Sequence, residues 1–352
     1  MKNNILLIFT CMLLFSSCKK NKDDDTTASD TSGVYVTGFM KNANNIYYAC
    51  YWKNGTKVNL TNPEAGVGTE SGTYSIAFLN DDLYIAGFDK QAGSKYQAVY
   101  WKNGIINYLT DGTYDASAET VLVVGSDIYI LVNERNASGK NVIKYWKNGS
   151  MISVTDGINF SFGRDIVVTD SDIYILGYER NITNQIIHKI WKNGVATSVP
   201  NTNPSIASYF SLAVLGTDVY VAGSDNDDVV PNTQAVYFKN GTRTALTTGT
   251  SYANAWGTIA LNGTDVYALG TENNSIPAAV AVYWKNGVKT MLGDGINNSS
   301  CRDIFFKNND VYITGYEASS TGVSTALFWK NGVKTILSNG NTGASSTAIF
   351  VK

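Results

Sequence analysis

Between residues 75 and 110 the chain sets four apolar runs between polar clusters. The runs are Ile76 to Leu79, Asp82-Leu83-Tyr84-Ile85-Ala86-Gly87-Phe88, Ala98-Val99-Tyr100-Trp101 and Tyr108-Leu109-Thr110. Each is a few residues long, rich in Val, Ile, Tyr and Phe, and bounded by Gly, Asn, Asp or Ser, the pattern of a strand with turns on either side. Asn103-Gly104 separates the third run from the fourth. That dipeptide suits a two-residue type I′ hairpin, in which both central residues need positive φ. The stretch predicts four antiparallel strands.

The same pattern recurs along the chain, keyed to the phrase Tyr100-Trp101-Lys102-Asn103-Gly104. Seven versions of it begin at Tyr51, Tyr100, Tyr145, Ile190, Tyr237, Tyr283 and Phe328, with steps of 49, 45, 45, 47, 46 and 45 residues. Four-stranded units repeated at this period predict an all-β, seven-bladed β-propeller. The first unit opens at Val34-Tyr35-Val36-Thr37-Gly38-Phe39, which matches a second strand with no first strand before it. The chain ends on Thr347-Ala348-Ile349-Phe350-Val351-Lys352, aligned here with Ser75-Ile76-Ala77-Phe78-Leu79-Asn80, a first strand. The expectation is a ring closed by the C-terminal strand completing the N-terminal blade, which also removes an exposed sheet edge.

Residues 1–17 carry Lys2, a short apolar stretch from Ile5 to Phe15, and then Leu14-Phe15-Ser16-Ser17-Cys18. The stretch is short for a membrane span and suits a secretory signal. Small residues before a cysteine resemble a bacterial lipoprotein signal, which implies lipidation of Cys18 and a protein anchored to the outer membrane, on its periplasmic or cell-surface face, without spanning it. Residues 18–32 hold Lys19, Lys20, Lys22, Asp23, Asp24, Asp25 and Asp30 with no large apolar residue, so they are expected to form a solvated tether. Charges this close to the lipidated cysteine also resemble surface-export signals, although a plain spacer has the same composition. The expected division is therefore 1–17 signal, 18–32 lipidated tether and 33–352 propeller.

Composition narrows the function classes. A net charge of −2 provides no basic footprint for nucleic acid. With Cys11 in the signal and Cys18 lipidated, Cys50 and Cys301 remain. They fall in the first and last repeats, which a ring makes neighbours, but on inner and third strands too far apart for a bridge, so two free thiols are expected. His188 is the one histidine, read as a surface or inter-blade residue. It excludes histidine-based triads and Cys/His zinc sites, and no metal or other cofactor is expected.

Acids recur after the second strand, at Asp89, Glu134, Glu179, Asp225, Glu272 and Glu317, with Met40 in the first unit. Such regularity indicates a structural role, pairing with a neighbouring blade or capping a loop. Asp82, Asp127, Asp172, Asp218, Asp265 and Asp310 are read as turn residues. The recurring Trp52, Trp101, Trp146, Trp191, Trp284 and Trp329, with Phe238 in the fifth unit, indicate inter-blade packing. Trp256 alone stands outside that pattern. Asp227 and Asp228 form a weak calcium candidate without a full ligand loop.

Departures from symmetry are the better guide to function. Eight residues before each Asp-x-Tyr triplet stand Tyr74, Glu119, Arg164, Phe210, Gly257 and Arg302, with Ser346 placed there at the chain's end. One residue earlier are Thr73, Ala118, Gly163, Tyr209, Trp256 and Cys301. The following position stays small or acidic: Ser75, Thr120, Asp165, Ser211, Thr258, Asp303 and Thr347. In propellers generally, loops entering the innermost strand share a face with the loops between second and third strands, and ligands sit there over the channel. That implies a channel-mouth site made by Tyr74, Glu119, Arg164, Tyr209, Phe210, Trp256 and Arg302. Arginine forks onto carboxylates and aromatic rings stack on apolar faces, so an acidic or sugar-like ligand suits it. A tolerant loop that simply varies is the alternative.

The repeat phrase, an aromatic, Trp, a polar pair and Gly, resembles extracellular repeats of bacterial proteins such as the HAF family, and is loosely similar to kelch-like blades. The resemblance covers residues 33–352 and implies architecture without a defined activity. Three functions remain open: a monomeric lipid-anchored ring binding a glycan, peptide or partner protein; a carbohydrate hydrolase or lyase using Glu119 with Arg164; and a structural component of an envelope complex. No catalytic residue is assigned.

Overall fold

In the computed structural model, which describes residues 31–201, 207–226, 230, 232–273 and 278–352, the chain forms antiparallel strands and, among the described residues, no helix. The segments expected to be a signal and, as far as residue 30, a tether, with Cys18 between them, and also Asp227 and Asp228, lie outside the described residues. Blade 1 joins residues 344–351 to 34–59, and blades 2 to 7 follow at 70–108, 116–153, 161–198, 208–245, 253–291 and 299–336. Each inner strand touches the neighbouring blade all the way round, the last blade against the first, so the ring is closed. Closure runs as expected through the C-terminal strand Ala344–Val351, which pairs antiparallel with Val34–Lys41. Gly33 and Lys352 seal the pairing with two backbone hydrogen bonds of 3.0 and 2.9 Å.

The repeated phrase is a fastening between the second and third strands. Asn103 and Gly104 take φ of 51° and 83°, the left-handed values a type I′ turn needs, and the Asn-Gly pairs of the other six phrases do the same. The Asn103 side chain accepts from the Leu83 N–H at 2.8 Å and donates to Asp82 at 2.7 Å. Lys102 pairs with Asp82 at 2.7 Å and lies over the Tyr84 ring, 5.5 Å from its centroid. The aspartates read as turn residues are thus also ion-pair partners, in blades 2 to 7 alike. These pairs are exposed, so each adds little stability and mainly fixes the hairpin register.

The core consists of seven separate clusters, one between each pair of adjacent blades. The tryptophan of each phrase, or Phe238 in blade 5, projects into the cluster shared with the preceding blade, as the recurrence predicts. Trp52, Trp101, Trp284 and Trp329 are buried with no partner for the indole N–H among the described residues. That omission costs about 1–3 kcal/mol each, which burial of a ring of roughly 150–250 Å² more than offsets. Cys50 and Cys301 are buried free thiols, both pushed up to about 12 by desolvation. Cys301 donates to the carbonyls of Gly270 and Val282 in the previous blade. His188 lies at the interface of blades 4 and 5, its Nε2 bonded to the Ala207 carbonyl at 3.0 Å.

Since Phe238 fills the tryptophan position in blade 5, ring size there is negotiable but ring burial is not. Trp101→Ala is expected to lower the unfolding free energy by about 3–5 kcal/mol, whereas Trp101→Phe loses well under half of that. Denaturant titration of both variants checks it; equal losses would show that this interface needs the full bicyclic ring and gains nothing from a smaller one.

Candidate functional site

Each inner strand departs from regular pairing at one place. In blades 2, 3, 4, 5 and 7 the register slips past a single residue: Tyr74, Glu119, Arg164, Phe210 and Arg302. In blade 1 the slip falls at Thr347. Blade 6 carries two extra residues, Trp256 and Gly257, and its inner strand is split into Ala253–Asn254 and Ile259–Asn262. A β-bulge leaves its extra residue unpaired and re-aims the side chain. Here every bulge turns its residue toward the centre, and the seven together line a cavity of about 560 Å³ at the head of the channel.

In six of the seven blades a glycine on the second strand faces the slip. Gly87 faces the slip in blade 2, and a Cβ on it would lie 2.0 Å from the Gly72 carbonyl oxygen. Gly38, Gly177, Gly223, Gly270 and Gly315 stand in the same place, with comparable approaches. Blade 3 is the exception, with Val132 opposite Ala118. The bulged backbone presses against its neighbour where only a hydrogen fits.

Six of the seven expected mouth residues, Tyr74, Glu119, Arg164, Phe210, Trp256 and Arg302, share the cavity wall. Tyr209 does not. It is buried between blades 4 and 5, its ring against His188 and Phe238 at 4.7 and 5.3 Å and its hydroxyl bonded to the Pro200 carbonyl. The residue before a bulge points into the blade interface, so Tyr209 is core. The C-terminal alignment is also corrected by one residue: Ser346 is buried, bonded to the Gly315 and Leu327 carbonyls, and Thr347 occupies the channel position.

Below the mouth the small or acidic residues form a belt that stitches blade to blade. Ser75 accepts from Val121 N, Asp165 from Leu212 N and Ser211 Oγ, Ser211 from Ile259 N, and Asp303 from Ile349 N, all at 2.9–3.1 Å. Thr258 donates to Asp303 at 2.8 Å. Desolvation pushes Asp165 up to about 6 against these hydrogen bonds, with Asp303 adding repulsion, and raises Asp303 as well. Glu119, bonded to Ser117 and Asn133, is likewise raised by desolvation, while Arg164 opposes the shift.

The two arginines are held by rings. The Arg164 guanidinium sits 4.8, 5.2 and 5.6 Å from the centroids of Phe162, Phe210 and Tyr178, and that of Arg302 lies 5.7 Å from Tyr316. Neither side chain makes a hydrogen bond or ion pair among the described residues. A cation held over aromatic rings is attracted to them without spending its N–H groups on a protein acceptor, and those groups can fork onto a carboxylate. Trp256, 43% exposed, lies beside Phe210 at 6.3 Å and presents a flat apolar surface next to them.

The recurring acids after the second strand are structural, but they pair inside their own blade rather than with a neighbouring one. Glu134 meets Lys144, Glu179 meets Lys189, Glu272 meets Lys289 and Glu317 meets Lys334. Asp225 pairs with Arg243 at 3.6 Å, and Asp89 accepts from Tyr108 at 2.9 Å. Where the first unit has Met40, Tyr48 donates to its sulfur. Among the described residues no group of three or more His, Cys, Asp or Glu side chains is placed to hold a metal ion.

The belt makes stability depend on pH. Asp165 binds its proton more tightly in the fold than its ordinary value of 3.8, so its contribution is full below that value and is lost as pH rises through about 6. His188 runs the other way: burial lowers it from 6.5, so its contribution holds above 6.5 and is lost on acidification. Asp165→Asn keeps an oxygen acceptor but cannot ionise. The Tm of this variant minus that of the wild type is therefore expected to be more positive at pH 8 than at pH 5, and a difference that does not change with pH would contradict the burial argument.

No protein-family model and no curated protein matches the chain. Among solved structures it is similar to a puromycin-hydrolyzing peptidase of Mycobacterium tuberculosis, with TM-score 0.59 and 9% identity over 87% of this chain and 52% of that one. This chain thus spans about half the length of the peptidase. It is also similar to the beta-propeller domain of the Trilobed protease from Pyrococcus furiosus, with TM-score 0.54 and 10% identity over 88% and 96% of the two chains. A third similarity is to the BP39L lectin of Burkholderia pseudomallei, with TM-score 0.51 and 10% identity over 88% and 95%. At such identities the likeness is one of fold, and the fold is a seven-bladed β-propeller.

Proposed function

We propose that this ring is a binding module that takes an acidic ligand, a glycan or peptide, at the channel mouth. The observation that carries the reading is the pair of arginines held over aromatic rings, Arg164 and Arg302, which line the cavity and whose side chains make no hydrogen bond or ion pair among the described residues. A guanidinium held in place loses less freedom on meeting a carboxylate, and a charge-assisted fork contributes about 1.5–3 kcal/mol. The exposed Trp256 supplies an apolar platform beside it. In the same proposal lipid on Cys18 anchors the module to the bacterial outer membrane, and the lipoprotein-like Leu14-to-Cys18 sequence supports the lipidation.

A second reading rests on Glu119. Its carboxyl is pushed above the usual range in the same cavity as Arg164, the condition of a general acid, and this favours a carbohydrate hydrolase or lyase. Fold does not separate the two, since propellers include the lectin and the protease domain above. Turnover of an extracellular polysaccharide that Glu119→Gln abolishes would establish the enzyme.

The binding reading is tested on a glycan and peptide array with protein starting at Lys19. Wild type is expected to retain acidic ligands, and the triple variant Arg164→Ala, Trp256→Ala, Arg302→Ala to lose at least about tenfold in affinity, roughly 1.4 kcal/mol. Equal binding by both moves the site elsewhere. For the anchor, Cys18→Ala is expected to abolish fatty-acid labelling and release the protein from membranes; a variant that stays labelled rules Cys18 out.

A further inference from the structure

The arginine site does not end at the cavity. Arg302 also lines a groove of about 670 Å³ between blades 7 and 1, together with Phe39, Lys41, Tyr47 and Tyr316. In that groove the Lys41 ammonium lies over the Tyr47 ring at 4.9 Å, and Tyr47 meets Phe39 edge-on at 5.1 Å. Lys41 makes no side-chain hydrogen bond or ion pair among the described residues. The same unit, a cation resting on an aromatic ring, therefore occurs three times from the cavity outward: Arg164 on Phe162, Arg302 on Tyr316, Lys41 on Tyr47.

A second groove of about 370 Å³ leaves the cavity at Tyr74 between blades 2 and 3, but its charge is opposite. There Glu70 accepts from the Tyr96 hydroxyl at 2.6 Å, and Asp115 faces Arg135 at 3.8 Å. That exit holds its own acids and occupies its one arginine with one of them. The groove between blades 7 and 1 is lined by Arg302 and Lys41 and, among the described residues, by no acid.

Resting on the reading above, we infer that the ligand is an acidic oligosaccharide that lies across the face from the channel mouth into the groove between blades 7 and 1, with successive carboxylates at Arg164, Arg302 and Lys41. Each cation carries an aromatic ring, and a sugar acid offers the matching pair, a carboxylate and an apolar ring face. Linked units bind more tightly than one because the second contact is intramolecular.

Full-length protein in detergent is titrated calorimetrically with galacturonate monomer, trimer and hexamer. Affinity is expected to rise at least about tenfold from monomer to hexamer. Lys41→Ala removes most of that rise and leaves the monomer unchanged, Lys41→Arg restores it, and Arg164→Ala weakens every length. If monomer and hexamer bind alike, or the rise survives Lys41→Ala, the extended path is overturned while the mouth reading stands. If poly-glutamate binds through Arg164 and no uronate does, the ligand is an acidic peptide and the sugar class is overturned. If no acid of either class binds, the mouth reading fails and the inference with it.

Discussion

A four-stranded blade has two apolar faces and can bury neither alone, and the rest of the molecule depends on how that constraint is met. Each blade lends one large ring to its neighbour, Trp101 against blade 1 and Phe238 against blade 4, and seven such loans close only in a circle. The core is therefore divided among seven interfaces, and the channel at the centre is left for other uses. The hairpin fastenings of Asp, Tyr, Lys and Asn hold each strand in the register that puts its ring into the interface. They repeat because the interface repeats.

Within that symmetry one local irregularity is kept in every blade. The bulge separates two functions on a single strand: the residue before it packs into the interface, as Tyr209 and Cys301 do, and the bulged residue faces the channel, as Phe210 and Arg302 do. Interface residues are constrained by packing between blades, whereas bulged residues line the cavity and differ in size and charge from blade to blade. Seven similar blades can in this way present a varied set of side chains at one mouth. Beneath it, the hydrogen-bonded belt through Asp165, Ser211 and Asp303 ties successive blades directly under their bulges.

Most of the fold was legible in the sequence because strand period, turn chemistry and repeat length all point one way. Asn-Gly before a fourth strand, tryptophan at a fixed place and an unpaired first unit suffice for blades, interfaces and closure. The site was less legible, since counting back from the second strand assumes regular pairing. The count drifts where Trp256 and Gly257 add a residue in blade 6, and at the C-terminal strand, where Thr347 rather than Ser346 is the bulge. It also carried Tyr209 to the mouth although its neighbour Phe210 is the one released. The corrective signal was present in Gly38, Gly87, Gly177, Gly223, Gly270 and Gly315, which mark the close approach opposite the bulge in every blade but the third. The acids after the second strand were rightly taken as structural, but their partners inside the blade follow from strand pairing, which spacing alone does not supply.

The central claim is that a symmetric ring aims an asymmetric, anion-binding set of side chains into one cavity. A crystal structure of the protein with an oligogalacturonate tests it most directly. The account predicts a carboxylate within hydrogen-bond reach of Arg164 or Arg302 and a sugar ring over the channel mouth. An oligosaccharide seated instead on the face of the Asn-Gly hairpins, with both guanidiniums unengaged, would contradict it.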